Sequence, residues 1–310
     1  MSSLAPSPFV PPRASLYAPT PQAAQRVLEF FTAHINNPHT RKAYKNAAQN
    51  FAAWCAQHEL LHLSQVQPFH VAAFLQSLQG QYSAPTVKQH LAALRMLFDY
   101  LVTGQVIPTN PAHAVRGPKH VVKKGKTPVL TPEETRTLLD SIDVSTLAGL
   151  RDRALIGVMV YTFARINAVV NLRREDYFQQ GRRGWLRLRE KGGKEHDVPC
   201  HHNLERYLDE FLARAGQGNG YLFTSLRQAG KPLTQQDVYR MVQKRAQAAG
   251  IATRIGNHTF RATGITAYLK NGGKLEIAQQ IAGHESPRTT KLYDRREDQL
   301  TLDEIARIAI

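Results

Sequence analysis

Gly283-His284-Glu285-Ser286-Pro287-Arg288-Thr289-Thr290-Lys291-Leu292-Tyr293 is the stretch from which the rest of the chain can be read. Glycine takes the left-handed backbone that follows a last helical turn, so Gly283 is suited to end one helix. Ser286-Pro287 suits the start of the next, with a hydroxyl to cap it and a proline at its first position. Tyr293 then falls two turns into that helix, nine residues beyond His284. Most helical tyrosines only pack, and the chain has eleven. A phenol has a reference pKa of about 10, so it attacks phosphorus only where cations or a base stabilise the phenolate. The chain carries such cations upstream.

Asn257-His258-Thr259-Phe260-Arg261 opens a helix, and the three-residue spacing sets His258 and Arg261 on one face at its amino end. Unpaired backbone N–H groups and the helix dipole favour an anion there, and a phosphate is the natural guest. A His and an Arg at this spacing also occur by chance on many helix surfaces. Arg165 stands in Tyr161-Thr162-Phe163-Ala164-Arg165-Ile166-Asn167, where a buried helix breaks. Guanidinium forks grip two non-bridging oxygens at once and stabilise the extra charge of a five-coordinate phosphorus. Lys191, in Glu190-Lys191-Gly192-Gly193-Lys194, tips a hairpin from which it could donate a proton to a departing oxygen. Lys194 is a rival in the same turn, and an exposed turn lysine is also ordinary.

Outward from these motifs the pattern is mostly helical. Residues 1–22 are rich in Pro, Ser and Ala and read as a disordered arm. Residues 23–115 read as a helical domain. Its helices are expected at 23–33, from a Thr40 cap through Tyr44, Ala48, Phe51 and Cys55, at 69–78, and from Pro85 through Leu101. Residues 116–129 form a basic linker with Arg116, Lys119, Lys123, Lys124 and Lys126 and no acidic residue. Thr131-Pro132 with Glu134 is a helix start that opens a mixed domain over 130–310. In it, Trp185 to Arg189 alternates into the Gly192-Gly193 turn and returns through Val198 as a hairpin. Helices are expected over 204–215, 235–249, 258–270 and 275–282, and a short last one over 303–308.

Composition narrows the function. Lys and Arg number 40 against 24 Asp and Glu, a net charge of +16 on 310 residues that are 42% hydrophobic. Such a balance on a globular chain calls for a polyanionic partner, nucleic acid first. The longest apolar run, Ala154 to Tyr161, is far below the ~20 residues that span a bilayer, and no export signal opens the chain. The expected location is the cytoplasm, associated with the nucleoid. Two cysteines, Cys55 and Cys200, provide no disulfide framework or metal spacing. His196, His201 and His202 cluster near Cys200 but lack the spacing of a closed metal site, so no metal is expected. No Gly-rich phosphate loop indicates nucleotide hydrolysis.

The ordered set Ala164-Arg165-Ile166, Lys191-Gly-Gly-Lys194, His258-Thr-Phe-Arg261, Gly283-His284 and Tyr293 resembles the tyrosine recombinase (phage integrase, Xer-like) family. Thr40-Arg-x-x-Tyr44 and Pro85-Thr-Val87 resemble its helical core-binding domain. The match runs from about residue 23 to the end. The resemblance implies a mostly α, two-domain DNA clamp: an N-terminal helical core-binding bundle and an α+β catalytic domain with a small sheet. It implies a transesterification without metal or ATP, in which Tyr293 attacks a scissile phosphate to leave a 3′-phosphotyrosyl link and a free 5′-hydroxyl. Arg165 and Arg261 would clamp the phosphate and Lys191 would protonate the leaving oxygen. His258 would assist proton transfer at the nucleophile, and His284 would hydrogen-bond the phosphate. Family members act as tetramers on two DNA sites with inverted half-sites, in integration or mobile-element recombination.

Two departures stand out. The family usually has an acid three residues after the first arginine, where this chain has Ala168, and often a His after the second, where it has Ala262. Asp176 or Glu175 could compensate. Arg41, Lys42, Lys45, Lys88 and Arg95 in the first domain, Lys123 and Lys124 in the linker, and Arg240, Lys244 and Arg245 on one helix side are candidate DNA contacts. That last helix could enter the major groove or simply be solvated. Leu302, Ile305 and Ile308 mark a terminal helix too short to stand alone, which would dock through residues 300–310 on a neighbouring subunit or on its own domain. The rival readings are a type IB topoisomerase and an architectural DNA-binding protein weakened in catalysis.

Overall fold

The computed structural model describes residues 15–17, 19–121, 125–190, 193–216, 218, 220–228 and 230–294. The chain divides into two compact units, with the division between Val121 and Val122.

The first unit is helical: α1 (Pro21–Glu29), α2 (Pro38–Gln57), α3 (Pro68–Gln79) and α4 (Ala84–Thr103). α2 begins before the expected Thr40, because the Asn37 side chain accepts from the N–H groups of His39 and Thr40 and Pro38 fills the first position. Phe51 of α2 meets Phe74 of α3 and Phe98 of α4 edge-on, at centroid distances of 5.1 and 5.9 Å. These rings form the centre of this unit's core. The expected disorder through residue 22 does not hold for the described part of that segment. Leu16 and Tyr17 are buried, the Tyr17 hydroxyl donates to the Ala48 carbonyl at 3.0 Å, and Pro21 already belongs to α1. Two well-partnered side chains outweigh a proline-rich composition; residues 1–14 lie outside the described residues.

The helix start expected at Thr131 is present in the second unit. Thr131 and Glu134 satisfy each other's backbone N–H groups, 3.1 and 2.9 Å, at the start of α5 (Pro132–Asp140). α6 (Leu147–Tyr161) is buried on nearly every side and packs against α8 (His202–Ala215) and α10 (Asn257–Lys270). At Gly264 the α10 backbone comes so near α6 that a Cβ would lie 2.1 Å from the Val160 carbonyl. α7 (Ile166–Val170) follows α6 after a short break. The sheet is antiparallel in the order β1 (Tyr177–Gln180), β2 (Arg183–Arg189), β3 (Glu195–Pro199), with Leu186 opposite Val198 and Leu188 opposite His196. β1 was not expected, since its four residues are too short and polar to show alternation. α9 (Gln235–Ala248), α11 (Leu275–Ile281) and α12 (Pro287–Lys291) complete the unit. α12 is shorter than expected, so Tyr293 sits two residues past its end, its N–H bonded to the Thr290 carbonyl at 2.9 Å. The molecule is mostly α with one small sheet, and no helix among the described residues is long and apolar enough to cross a membrane.

Candidate active site

Three local devices bring the predicted side chains together. After α6 the chain turns through Phe163, a non-glycine residue at φ 55°, a conformation that costs about 1–3 kcal/mol and persists only where its surroundings impose it. The turn aims the Phe163 carbonyl at Arg261 and leaves Arg165 at the N-cap position of α7. Arg261, one turn into α10, is only 2% exposed; it donates to the Phe163 carbonyl and, at 2.7 Å, to the Ala282 carbonyl. The third device is the end of α11. The His284 N–H bonds to the Gln279 carbonyl and the Gly283 N–H to the Gln280 carbonyl, with Gly283 at φ 58°. This glycine-dependent helix end delivers His284 into the site.

His284 is buried, its Nδ1 2.9 Å from the Thr290 hydroxyl, and its ring stacks on Tyr293 with centroids 5.8 Å apart and planes 10° apart. The Thr266 hydroxyl donates to the Tyr293 carbonyl at 3.0 Å. The phenol lies near Arg261 and works against the lowering of that guanidinium's pKa by burial. Arg165 is paired with Glu190 at the end of β2; the carboxylate is 3% exposed and the guanidinium 31%.

The electrostatics are those of a site short of negative charge. Burial, then the nearby Arg165, pulls the Arg261 pKa down to about 10. Burial, then Arg261 and Arg165, lowers His284 to about 3, and the same causes hold His258 below its ordinary value. Two guanidiniums face one carboxylate here, so a further positive charge is disfavoured and an entering anion is favoured. Arg165, Lys194, Gly283, His284, Glu285, Ser286 and Thr289 line a cleft of about 350 Å³. Lys194 is exposed there and pairs with Glu285 at 3.2 Å. His258 lines a neighbouring hollow with Asn257 and Tyr239.

Arg165, Arg261, His258, His284 and Tyr293 are therefore gathered in one region of the second unit; Lys191 lies outside the described residues. The expected substitutes for the missing acid do not serve Arg165. Asp176 Oδ2 accepts from Arg189 at 2.7 Å and from the Arg173 N–H at 2.8 Å, while Glu175 is exposed. Glu190 holds Arg165 instead, a partner missed because its role depends on how the hairpin docks. Its only sequence sign was an acid immediately before Lys191.

The candidate DNA contacts divide sharply. Three arginines make hydrogen bonds within the fold. Arg95 donates to the Ala112 carbonyl at 3.1 Å, Arg41 to the Ile35 carbonyl at 2.8 Å, and Arg245 to buried Asp152 at 3.1 and 2.7 Å. Helical periodicity alone cannot tell such a staple from a surface cation. Lys42, Lys88, Arg240 and Lys244 are exposed and Lys45 is partly so. Lys123, Lys124 and residues 300–310 lie outside the described residues. His201 caps α8 and His196 meets the Ile281 carbonyl at 3.1 Å; no three His, Cys, Asp or Glu side chains among the described residues gather as a metal site.

Guanidinium and imidazole groups stand beside a phenol, on a helical domain with a small sheet, a set whose charge favours an anion next to a hydroxyl. The phage integrase family model matches residues 128–299, and that of the phage integrase N-terminal SAM-like domain matches residues 24–107. The chain belongs to the phage integrase family, the tyrosine recombinases, and is a DNA recombinase enzyme. It is 28% identical over 281 residues to tyrosine recombinase XerC of Myxococcus xanthus, covering 86% of this chain and 92% of the relative. It is 32% identical over 222 residues to XerC of Chlamydia muridarum, covering 71% and 69%. Among solved structures it resembles XerH site-specific recombinase bound to its difH substrate before cleavage. The TM-score is 0.70 and the identity 27%, covering 86% of this chain and 79% of that one.

Proposed function

We propose that this recombinase cuts and rejoins DNA at a specific site through a 3′-phosphotyrosyl intermediate, and that strands are exchanged in a tetramer holding two sites. The observation that carries the reading is the convergence of Arg165, Arg261 and His284 around the stacked ring of Tyr293. The Tyr293 oxygen attacks phosphorus and its proton passes toward His258. Arg165 and Arg261 hold the non-bridging oxygens as charge builds on them, and neutral His284 donates one hydrogen bond to the same phosphate. The bond from phosphorus to the 5′-oxygen breaks, and Lys191 supplies the proton that oxygen takes. The new phosphotyrosyl bond conserves the cleaved link, so the 5′-hydroxyl of a partner strand can attack it and restore the tyrosine. Lys42, Lys88, Arg240 and Lys244 would meet backbone phosphates of double-stranded DNA, which position the protein without reading sequence. Residues 300–310 would dock on a neighbouring subunit.

The test uses a supercoiled plasmid carrying two copies of an inverted-repeat site found in the DNA flanking the gene. Recombinant circles of predicted size support the proposal. Relaxed plasmid without recombinants would favour topoisomerase action, and binding with neither product would favour an architectural role.

A further inference from the structure

The family to which the chain belongs usually carries an acid three residues after the first arginine, and here Ala168 is buried with no polar atom to offer. Arg165 nevertheless has a carboxylate partner. We infer that Glu190 is the positioning residue for Arg165, standing in from the hairpin for the acid absent at position 168. This inference rests on the reading of Arg165 as a clamp on the scissile phosphate.

The burial is asymmetric in the sense such a role needs. Glu190 is 3% exposed and Arg165 31%, so the carboxylate sits behind and the guanidinium keeps N–H groups toward the cleft. Glu190 is itself held: its N–H bonds to the Lys194 carbonyl at 2.7 Å across the hairpin. A Cβ on Gly283 would lie 3.3 Å from its Cγ, so the glycine that ends α11 also leaves room for this side chain. The second oxygen, Oε1, is buried without a hydrogen-bond partner among the described residues. A carboxylate present only for stability would be fully satisfied or replaced by an apolar side chain, since burying a half-paired charge is costly. Keeping it for the orientation of Arg165 accounts for that cost.

The change of location has a consequence. An acid at 168 would lie on α7, on the same short segment as Arg165. Glu190 instead ties Arg165 to the hairpin, and it directly precedes Lys191 in sequence. Docking of the hairpin therefore orients Arg165.

The experiment compares the full-length wild type with Glu190→Gln, Ala168→Glu and the double variant in two readouts. One is the rate of covalent capture on a nicked duplex carrying the site, with DNA affinity measured in parallel. The other is the rate at which phenylglyoxal modifies Arg165, followed by peptide mass, which needs no catalysis. Glu190→Gln should slow capture by about 10²-fold, the cost of a misplacement of roughly 1 Å, with DNA affinity unchanged within about threefold. Arg165 should be modified several-fold faster. Adding Ala168→Glu should recover at least about tenfold of the rate and protect Arg165 again, a rescue that a merely structural role would not give. Wild-type capture and modification rates in Glu190→Gln overturn the inference, as does a folded double variant that recovers neither. If Glu190→Gln fails to fold, Glu190→Asp is read the same way: a shorter carboxylate should give intermediate rates, and wild-type rates overturn the inference. If the wild type forms no adduct yet Glu190→Gln still exposes Arg165, the recombination mechanism is wrong while Glu190's hold on Arg165 stands.

Discussion

The two arginines of the site are supported in opposite ways. On the α10 side Arg261 is sealed at 2% exposure between the carbonyls of Phe163 and Ala282, which cannot titrate and are fixed by backbone turns. On the hairpin side Arg165 is partly open and held by one carboxylate on an element that other segments must position. The first arrangement builds the fold as much as the site. The second keeps a buried carboxylate paired and leaves the guanidinium partly open to a phosphate.

Lysine substitutions test this contrast at its largest. Lysine keeps the charge but loses the fork. Arg261→Lys cannot serve both carbonyls, so it should lose about 2–4 kcal/mol through an unpaired buried carbonyl, read as a lower urea midpoint. Arg165→Lys keeps a cation beside buried Glu190, so it should lose less stability than Arg261→Lys in the same titration while covalent capture of DNA falls. Equal stability losses in the two variants would break the comparison. The close crossing of α6 and α10 comes next. Gly264→Ala forces the helices apart at the Val160 carbonyl and should cost about 1–3 kcal/mol by denaturant unfolding, although it touches no predicted catalytic group.

The pH dependence is smaller and has a definite sign. His284 is held near 3 in the fold, against about 6.5 when unfolded, so below about pH 6.5 the unfolded chain binds the extra proton. Stability from this group is complete above about pH 6.5 and is lost as pH falls toward 3, at up to about 1.4 kcal/mol per pH unit. Thermal melts at pH 7, 6 and 5 should show a shallower decline for His284→Gln than for wild type. At the bottom of the scale, Ser286→Ala removes a cap whose hydroxyl accepts from the Arg288 N–H at 3.3 Å. It should cost about 0.5–1 kcal/mol in the same melts.

The site was legible in sequence where chemistry and spacing coincide, and illegible where support comes from a distant segment. Tyr293, His284, Arg261 and Arg165 could be named from their ordered resemblance to the tyrosine recombinases, each standing in a local frame: a glycine helix end, a helix start, a helix break. The helix opening behind Thr131 followed from its capping box alone. Glu190 could not be named as the partner of Arg165, because that contact depends on a hairpin folding back from 25 residues away. The same limit explains Arg95, Arg41 and Arg245, which sit on helix faces as surface cations would and instead tie carbonyls or a buried aspartate. Leu16 and Tyr17 were hidden by the prolines around them, and β1 by its brevity.

Covalent capture tests the central claim most directly. The full chain is incubated with a nicked duplex bearing its site, denatured in SDS, and the adduct digested and mapped. The wild type should carry DNA on Tyr293 through a 3′-phosphate, and Tyr293→Phe should bind the same duplex with unchanged affinity and form no adduct. An adduct undiminished in Tyr293→Phe, or one mapped to another residue, would contradict the account.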